Sequence, residues 1–183
     1  MFSWYSIALL FAAFGLSLLS IIVLNIFFPL PYRSAAPIIP VIAMSIMFYG
    51  FYYIFMTGVN IRRKIWFIFI FTTIAALINV GLNFVLIPFF GSMGAALATL
   101  LAYMLLAGMA YVVNQRIYPV PFKINLYIIA LLVGIALYAG SSFLAQAQGM
   151  YEAWGISFDA LALYGGCLVC LGQLMTRSRK EKY

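Results

Sequence analysis

The sequence predicts an all-α integral membrane protein with about six transmembrane helices. Composition is the first reason: of 183 residues, 67% are hydrophobic and only 7% charged, whereas a soluble domain is about half apolar and about a quarter charged. The mean hydropathy of +1.14 agrees. Charge placement is the second reason. No charged residue occurs from Met1 to Tyr32, from Ser34 to Ile61, from Ile65 to Gln115, or from Ile124 to Tyr151. A helix needs about 20 apolar residues to cross hydrocarbon, so these gaps hold most of the chain in lipid.

The first span is expected from about Trp4 to Phe28, where "PLP" stops it. It has no basic n-region, and its apolar run is too long for the h-region of a secretory signal. The second is expected from about Ser34 to Gly58, before "NIRRK". Within it Pro37 falls in the first turn, while Pro40 lies deeper and is expected to kink the helix. The third runs from Ile65 to Ile87 and ends at Pro88, and the fourth opens after Gly91 and continues to about Val113. The fifth covers Ile124 to about Ala145 and the sixth Ala160 to about Met175. Residues 1–115 thus hold four spans, 116–176 two more, and 177–183 form a basic tail.

Charge orients these spans. With the tail cytoplasmic, alternation puts Arg62, Arg63 and Lys64 inside, together with the loop holding Arg116 and Lys123. Arg177, Arg179, Lys180 and Lys182 join them, leaving only Arg33 outside. Glu152 and Asp159 fall in the external loop. The positive-inside rule then places both termini in the cytoplasm. The net charge of +7 sits in short loops, where it meets anionic headgroups rather than nucleic acid.

The stretch "NVGLNFVLIPFFGSMGAALAT" (Asn79 to Thr99) asks for more than an anchor. On the third span Thr72, Ala76, Asn79 and Asn83 share one helical face. An unpaired amide is costly in hydrocarbon, so this stripe should meet other helices as hydrogen-bonding glue or line a polar cavity; the sequence fits both. On the fourth span Gly91, Gly94, Ala95, Ala98 and Ala102 form a small-residue strip that lets a neighbouring backbone approach. The second span carries Ser45, Tyr49, Tyr52 and Met56 on one face. Tyrosine faces suit sugar or lipid, and equally suit packing with one hydrogen bond. Cys167 and Cys170 have redox-pair spacing but no strand–helix context or nearby base, and read as small, inert, buried cysteines.

The segments "YRSAAPIIPVIAMSIMFYGFYYIFMTGVNIRRKIW" and "INVGLNFVLIPFFGSMGAALATLLAYML" together resemble the C-terminal part of bacterial polysaccharide flippases. These belong to the superfamily of multidrug, oligosaccharidyl-lipid and polysaccharide exporters. The resemblance rests on an ordered set: a Tyr segment with small residues and a proline, a Thr-Gly before a basic inner loop, the paired asparagines, and "IPxFGxxGAAxAT". It covers about Ile26 to Arg116. It implies a MATE-like fold of two six-helix bundles, in which the first four spans correspond to the last four helices of the second bundle and the final two to an additional C-terminal pair. It further implies translocation of undecaprenyl-diphosphate-linked oligosaccharide across the cytoplasmic membrane, for lipopolysaccharide or exopolysaccharide biosynthesis. Helices for the first bundle and the start of the second would lie upstream in a longer chain or on a partner membrane chain. For such a substrate, rich in hydroxyls, the polar face of the third span (Thr72, Asn79 and Asn83) is the expected substrate path, with Ser45, Tyr49 and Tyr52 of the second span opposite.

This chain departs from the family's demands in one respect. No Arg, Lys or carboxylate lies within any expected span, so charges for a pyrophosphate or a coupling ion would have to come from the missing helices. Other readings remain: a multidrug or lipid exporter of the same superfamily, or a membrane scaffold subunit without transport. A membrane enzyme is disfavoured, because the chain has no histidine and only Glu152, Asp159 and Glu181 as acids. Acid–base catalysis needs a titratable pair at one substrate, and metal sites need ligand clusters. No cofactor or metal is expected.

Overall fold

The computed structural model describes residues 2–27, 29, 35–118, 124–148, 159–170 and 173. No strand occurs among them, and the regular elements are α-helices: α1 (Phe2–Phe27), α2 (Ile38–Phe55), α3 (Thr57–Ile61), α4 (Trp66–Phe90), α5 (Ser92–Ile117), α6 (Ile124–Gln148) and α7 (Asp159–Cys170). Among the described residues three stretches are long and apolar enough to cross a membrane: Ile38–Ile61, Trp66–Phe90 and Ser92–Ile117. They make this an all-α protein of membrane character. The tail 177–183 and the loop carrying Glu152 lie outside the described residues.

The chain divides into two compact units, residues 37–122 and residues 1–36 with 123–183. This grouping follows contacts and cuts across the sequence division at 115, since α1 joins α6 and α7 rather than the three spans that follow it. In the unit of α1, α6 and α7, Tyr164 is the anchor. It is buried, its phenol donates to the Ala130 carbonyl at 3.1 Å, and its ring lies 4.4 Å from that of Phe14. Ser17 and Ser20, both buried, donate to the carbonyls of Ala13 and Ser17 on their own helix. That satisfies each hydroxyl without a partner helix. Cys167 and Cys170 are free thiols, half-buried and exposed respectively. Their expected burial is therefore corrected: both lie beside or outside the core line of Ala160, Tyr164 and Leu168.

In the other unit α5 is central and packs against both α2 and α4. Its alanines explain why. Ala98, Ala102 and Ala110 are almost fully buried, and such flat residues let two helices close on one. Lipid tails are as apolar as the side chains, so close packing rather than escape from water holds these helices together. Towards the end bearing the basic loop, larger groups fill the interface: Tyr52, Met56, Val59, Phe71, Ala75, Leu106, Ala107 and Ala110 form one cluster.

Two proline expectations are corrected. Pro40 does not kink a helix interior. Because α2 begins at Ile38, Pro40 falls in the first turn, where a backbone N–H has no intrahelical acceptor to lose. Nor does α4 end at Pro88; it continues to Phe90, and the turn is made by Gly91 alone. Gly91 has φ 57° and ψ −134°, a conformation open to glycine. Its N–H donates to Ile87 at 2.8 Å, while its carbonyl accepts from Gly94 at 3.0 Å. Gly91 is thus the turn residue and lies exposed, not in the packing strip.

The basic loop ends α3 with a defined cap. Lys64 N–H donates to Val59 at 3.1 Å and Arg63 N–H to Asn60 at 3.0 Å, with Arg63 at φ 54°. This is the Schellman pattern, with arginine where glycine is the usual occupant.

Candidate polar groove of the helical hairpin

The hairpin of α4 and α5 positions the asparagines. Past Gly91 the helices run side by side so closely that a Cβ on Gly94 would overlap the Leu86 backbone carbonyl. That contact fixes the register, and one consequence is that Thr99 of α5 comes level with Asn79 of α4. Asn79 Nδ2 donates to Thr99 Oγ1 at 3.3 Å, and Thr99 Oγ1 donates to the Ala95 carbonyl at 3.0 Å. Asn83, one turn along α4, donates from Nδ2 to Asn79 Oδ1 at 3.1 Å. The three side chains form one directed chain of hydrogen bonds. Its free end is Asn83 Oδ1, a buried acceptor with no partner.

Beside that end lies a concavity of about 380 Å³ lined by Val80, Asn83, Phe84, Ile87 and Pro88. Phe84 is 80% exposed and Val80 52%, so this wall of α4 is not covered by α5. Thr72 belongs to the same helix but not to the chain. It is exposed, and its hydroxyl donates to Ile68 at 2.8 Å and Phe69 at 3.1 Å.

The second-span candidates occupy another face. α5 stands between α2 and α4, so Ser45, Tyr49 and Tyr52 are not brought opposite the asparagines within this unit. Ser45 is buried and donates to Ile42 at 2.7 Å. Tyr52 is buried in the cluster beside Met56 and Leu106. Tyr49 stacks on Tyr103 of α5 at 4.9 Å and on Tyr52 at 5.9 Å, and its phenol oxygen lies 2.9 Å from that of Tyr53. Of the small-residue strip, Gly94, Ala98 and Ala102 are buried, and Ala95 is half-buried with its carbonyl engaged by Thr99.

Two residues that sequence reasoning passed over matter here. Thr99 completes the amide chain; its signal was a lone hydroxyl in the alanine strip, about as far past Gly91 as the asparagines precede it. Asn114 was placed beyond the fourth span, yet α5 continues to Ile117. It is fully buried with neither amide atom hydrogen-bonded, against Gly58, where any Cβ would overlap its Oδ1. Among the described residues no three His, Cys, Asp or Glu side chains gather as a metal site would need. The groove can therefore exchange hydrogen bonds but offers no charged group for acid–base chemistry. No family model, curated protein or solved structure matches this chain.

Proposed function

We propose that this chain is a membrane transport protein that moves lipid-linked oligosaccharide, an undecaprenyl-diphosphate-linked repeat unit, across the bacterial cytoplasmic membrane for polysaccharide biosynthesis. The observation that carries the reading is the uncharged hydrogen-bonding chain on α4, which ends at an unpaired acceptor beside an open concavity. A glycan carries many hydroxyls. Neutral amides can trade hydrogen bonds with them without holding the substrate as tightly as a charge would. In this reading α1, α6 and the segment of α7 cross the membrane as well, giving six spans, with both termini cytoplasmic as the charge asymmetry requires. A second wall, and the cations for a pyrophosphate, come from a companion bundle in the same polypeptide or on a partner membrane chain. Alternating access then rocks one bundle on the other.

The test is complementation of polymer export by the full transporter. Asn79→Ala with Asn83→Ala should abolish export while the folded amount in the membrane stays close to the parent's. Thr99→Val is the reference for packing alone: it removes the bond between α4 and α5 and leaves both asparagines. Normal export by the double variant, or failure only because it no longer accumulates, would make the asparagines interhelical glue and put the substrate path elsewhere.

A further inference from the structure

The asparagine chain has a direction, and direction decides what it can bind. Asn83 donates to Asn79, Asn79 donates to Thr99, and Thr99 donates to the Ala95 carbonyl. Each amide keeps a second N–H, and the atom of the series left without any partner is the buried Asn83 Oδ1. Five residues further along, Pro88 lies inside α4. Proline has no N–H, so the Phe84 carbonyl loses the donor that position 88 would supply in an uninterrupted helix. Asn83, Phe84 and Pro88 all line the same concavity. Beside the groove, then, Asn83 Oδ1 has no partner and the Phe84 carbonyl of the same stretch of α4 lacks its helical donor, while the wall itself is mostly the apolar side chains of Val80, Phe84, Ile87 and Pro88.

We infer that this groove is a binding site for a hydroxyl-bearing amphiphile, with a hydroxyl donating to Asn83 Oδ1 and the apolar flank lying on Val80, Phe84, Ile87 and Pro88. The inference rests on the transport reading for its natural ligand, a lipid-linked glycan, and it divides the two asparagines: Asn79 joins the helices and Asn83 meets the ligand. Asn83 is only half-buried as a residue, and its terminal torsion is soft. Turning that torsion brings the buried oxygen to the groove and gives up the bond to Asn79 Oδ1, while the bond from Asn79 to Thr99 stays. The volume of about 380 Å³ falls within the range of about 300–1,000 Å³ usual for small-ligand clefts. A metal ion does not fit, because two neutral acceptors without a carboxylate are too few to replace its hydration shell.

The experiment needs no transport assay, so its failure and failure of the export reading are separate results. The full chain is reconstituted in phosphatidylcholine nanodiscs, whose headgroups have no hydrogen-bond donor. It is offered n-octyl β-D-glucopyranoside below its micellar concentration, or the fully O-methylated ether of the same compound. Native mass spectrometry reads the occupancy. The parent should retain the glucoside in preference to the ether. Asn83→Leu and Pro88→Ala should each lower occupancy by about five- to tenfold, the equivalent of one lost hydrogen bond. Pro88→Ala restores a helical N–H to Phe84 and firms α4, so it decides the matter if Asn83→Leu fails to fold. Equal retention of glucoside and ether overturns the proposal, as does parental occupancy in either folded variant. A helix of a partner chain is the rival occupant. Photolysis in cells of the Phe84→p-benzoylphenylalanine variant that joins it to a polypeptide assigns the groove to that helix and overturns the proposal.

Discussion

Arg63 holds a conformation that its side chain does not favour. At φ 54° it closes the cap of α3, and an L-residue there is about 1–2 kcal/mol less stable than in the right-handed region. Arg63→Gly should therefore raise the thermal unfolding midpoint in mild detergent, by about 1 kcal/mol in stability. Arg63→Ala is the control, because it removes the same charge and keeps the strained angle. If the alanine variant is as stable as the glycine variant, the gain comes from relieved charge repulsion with Arg62 and Lys64, and the backbone argument is wrong. None of this was visible in "RRK", since a basic run gives orientation but no φ. The polar residues are the reverse case. A neutral amide in an apolar run announces itself by type, so Asn79 and Asn83 stood out; their partner Thr99 depends on register, which one strand of text does not show.

At the scale of elements the hairpin was legible in part. Small residues after Gly91 point to a close helix pair, because only they allow backbones to meet. Pro88 was misread as the stop because proline is the stronger breaker in general. Here it sits near the helix end, where one lost hydrogen bond is tolerated, and Gly91 turns the chain. Substitution at the contact tests this geometry directly. A side chain at position 94 meets the Leu86 carbonyl, which is backbone and cannot swing away. Ala98 is fully buried, so a larger group there has nowhere to go. Gly94→Leu and Ala98→Leu should each wedge α4 from α5 and destabilise the protein by about 1–3 kcal/mol or more, read as a lower yield of monodisperse protein. Gly81→Leu is the internal reference, since a Cβ on Gly81 meets nothing within 4 Å. Two wedge variants as stable as that reference would mean that the strip does not pack against α4.

For the whole molecule, the strongest expectation from sequence is orientation, and it follows from where the ten basic residues stand. Moving a Lys or Arg to the external side during insertion is disfavoured, and the bias of short loops fixes which way the spans run. Alternation ties every loop to this choice, so one position decides them all. The labelling must start from a background in which Cys167→Ala and Cys170→Ala have removed both native thiols, because Cys170 is exposed and would report on its own. In intact cells an impermeant maleimide should then react with single cysteines placed between Gln146 and Ser157. It should miss Arg63→Cys and Arg179→Cys until the membrane is opened. The two sites flank different spans, so a single misplaced helix cannot make both silent by chance. Labelling of Arg179→Cys in intact cells puts the tail outside and reverses the chain. Labelling of Arg63→Cys alone would instead remove one crossing between the basic loop and the tail, and leave an odd number of spans after Lys64.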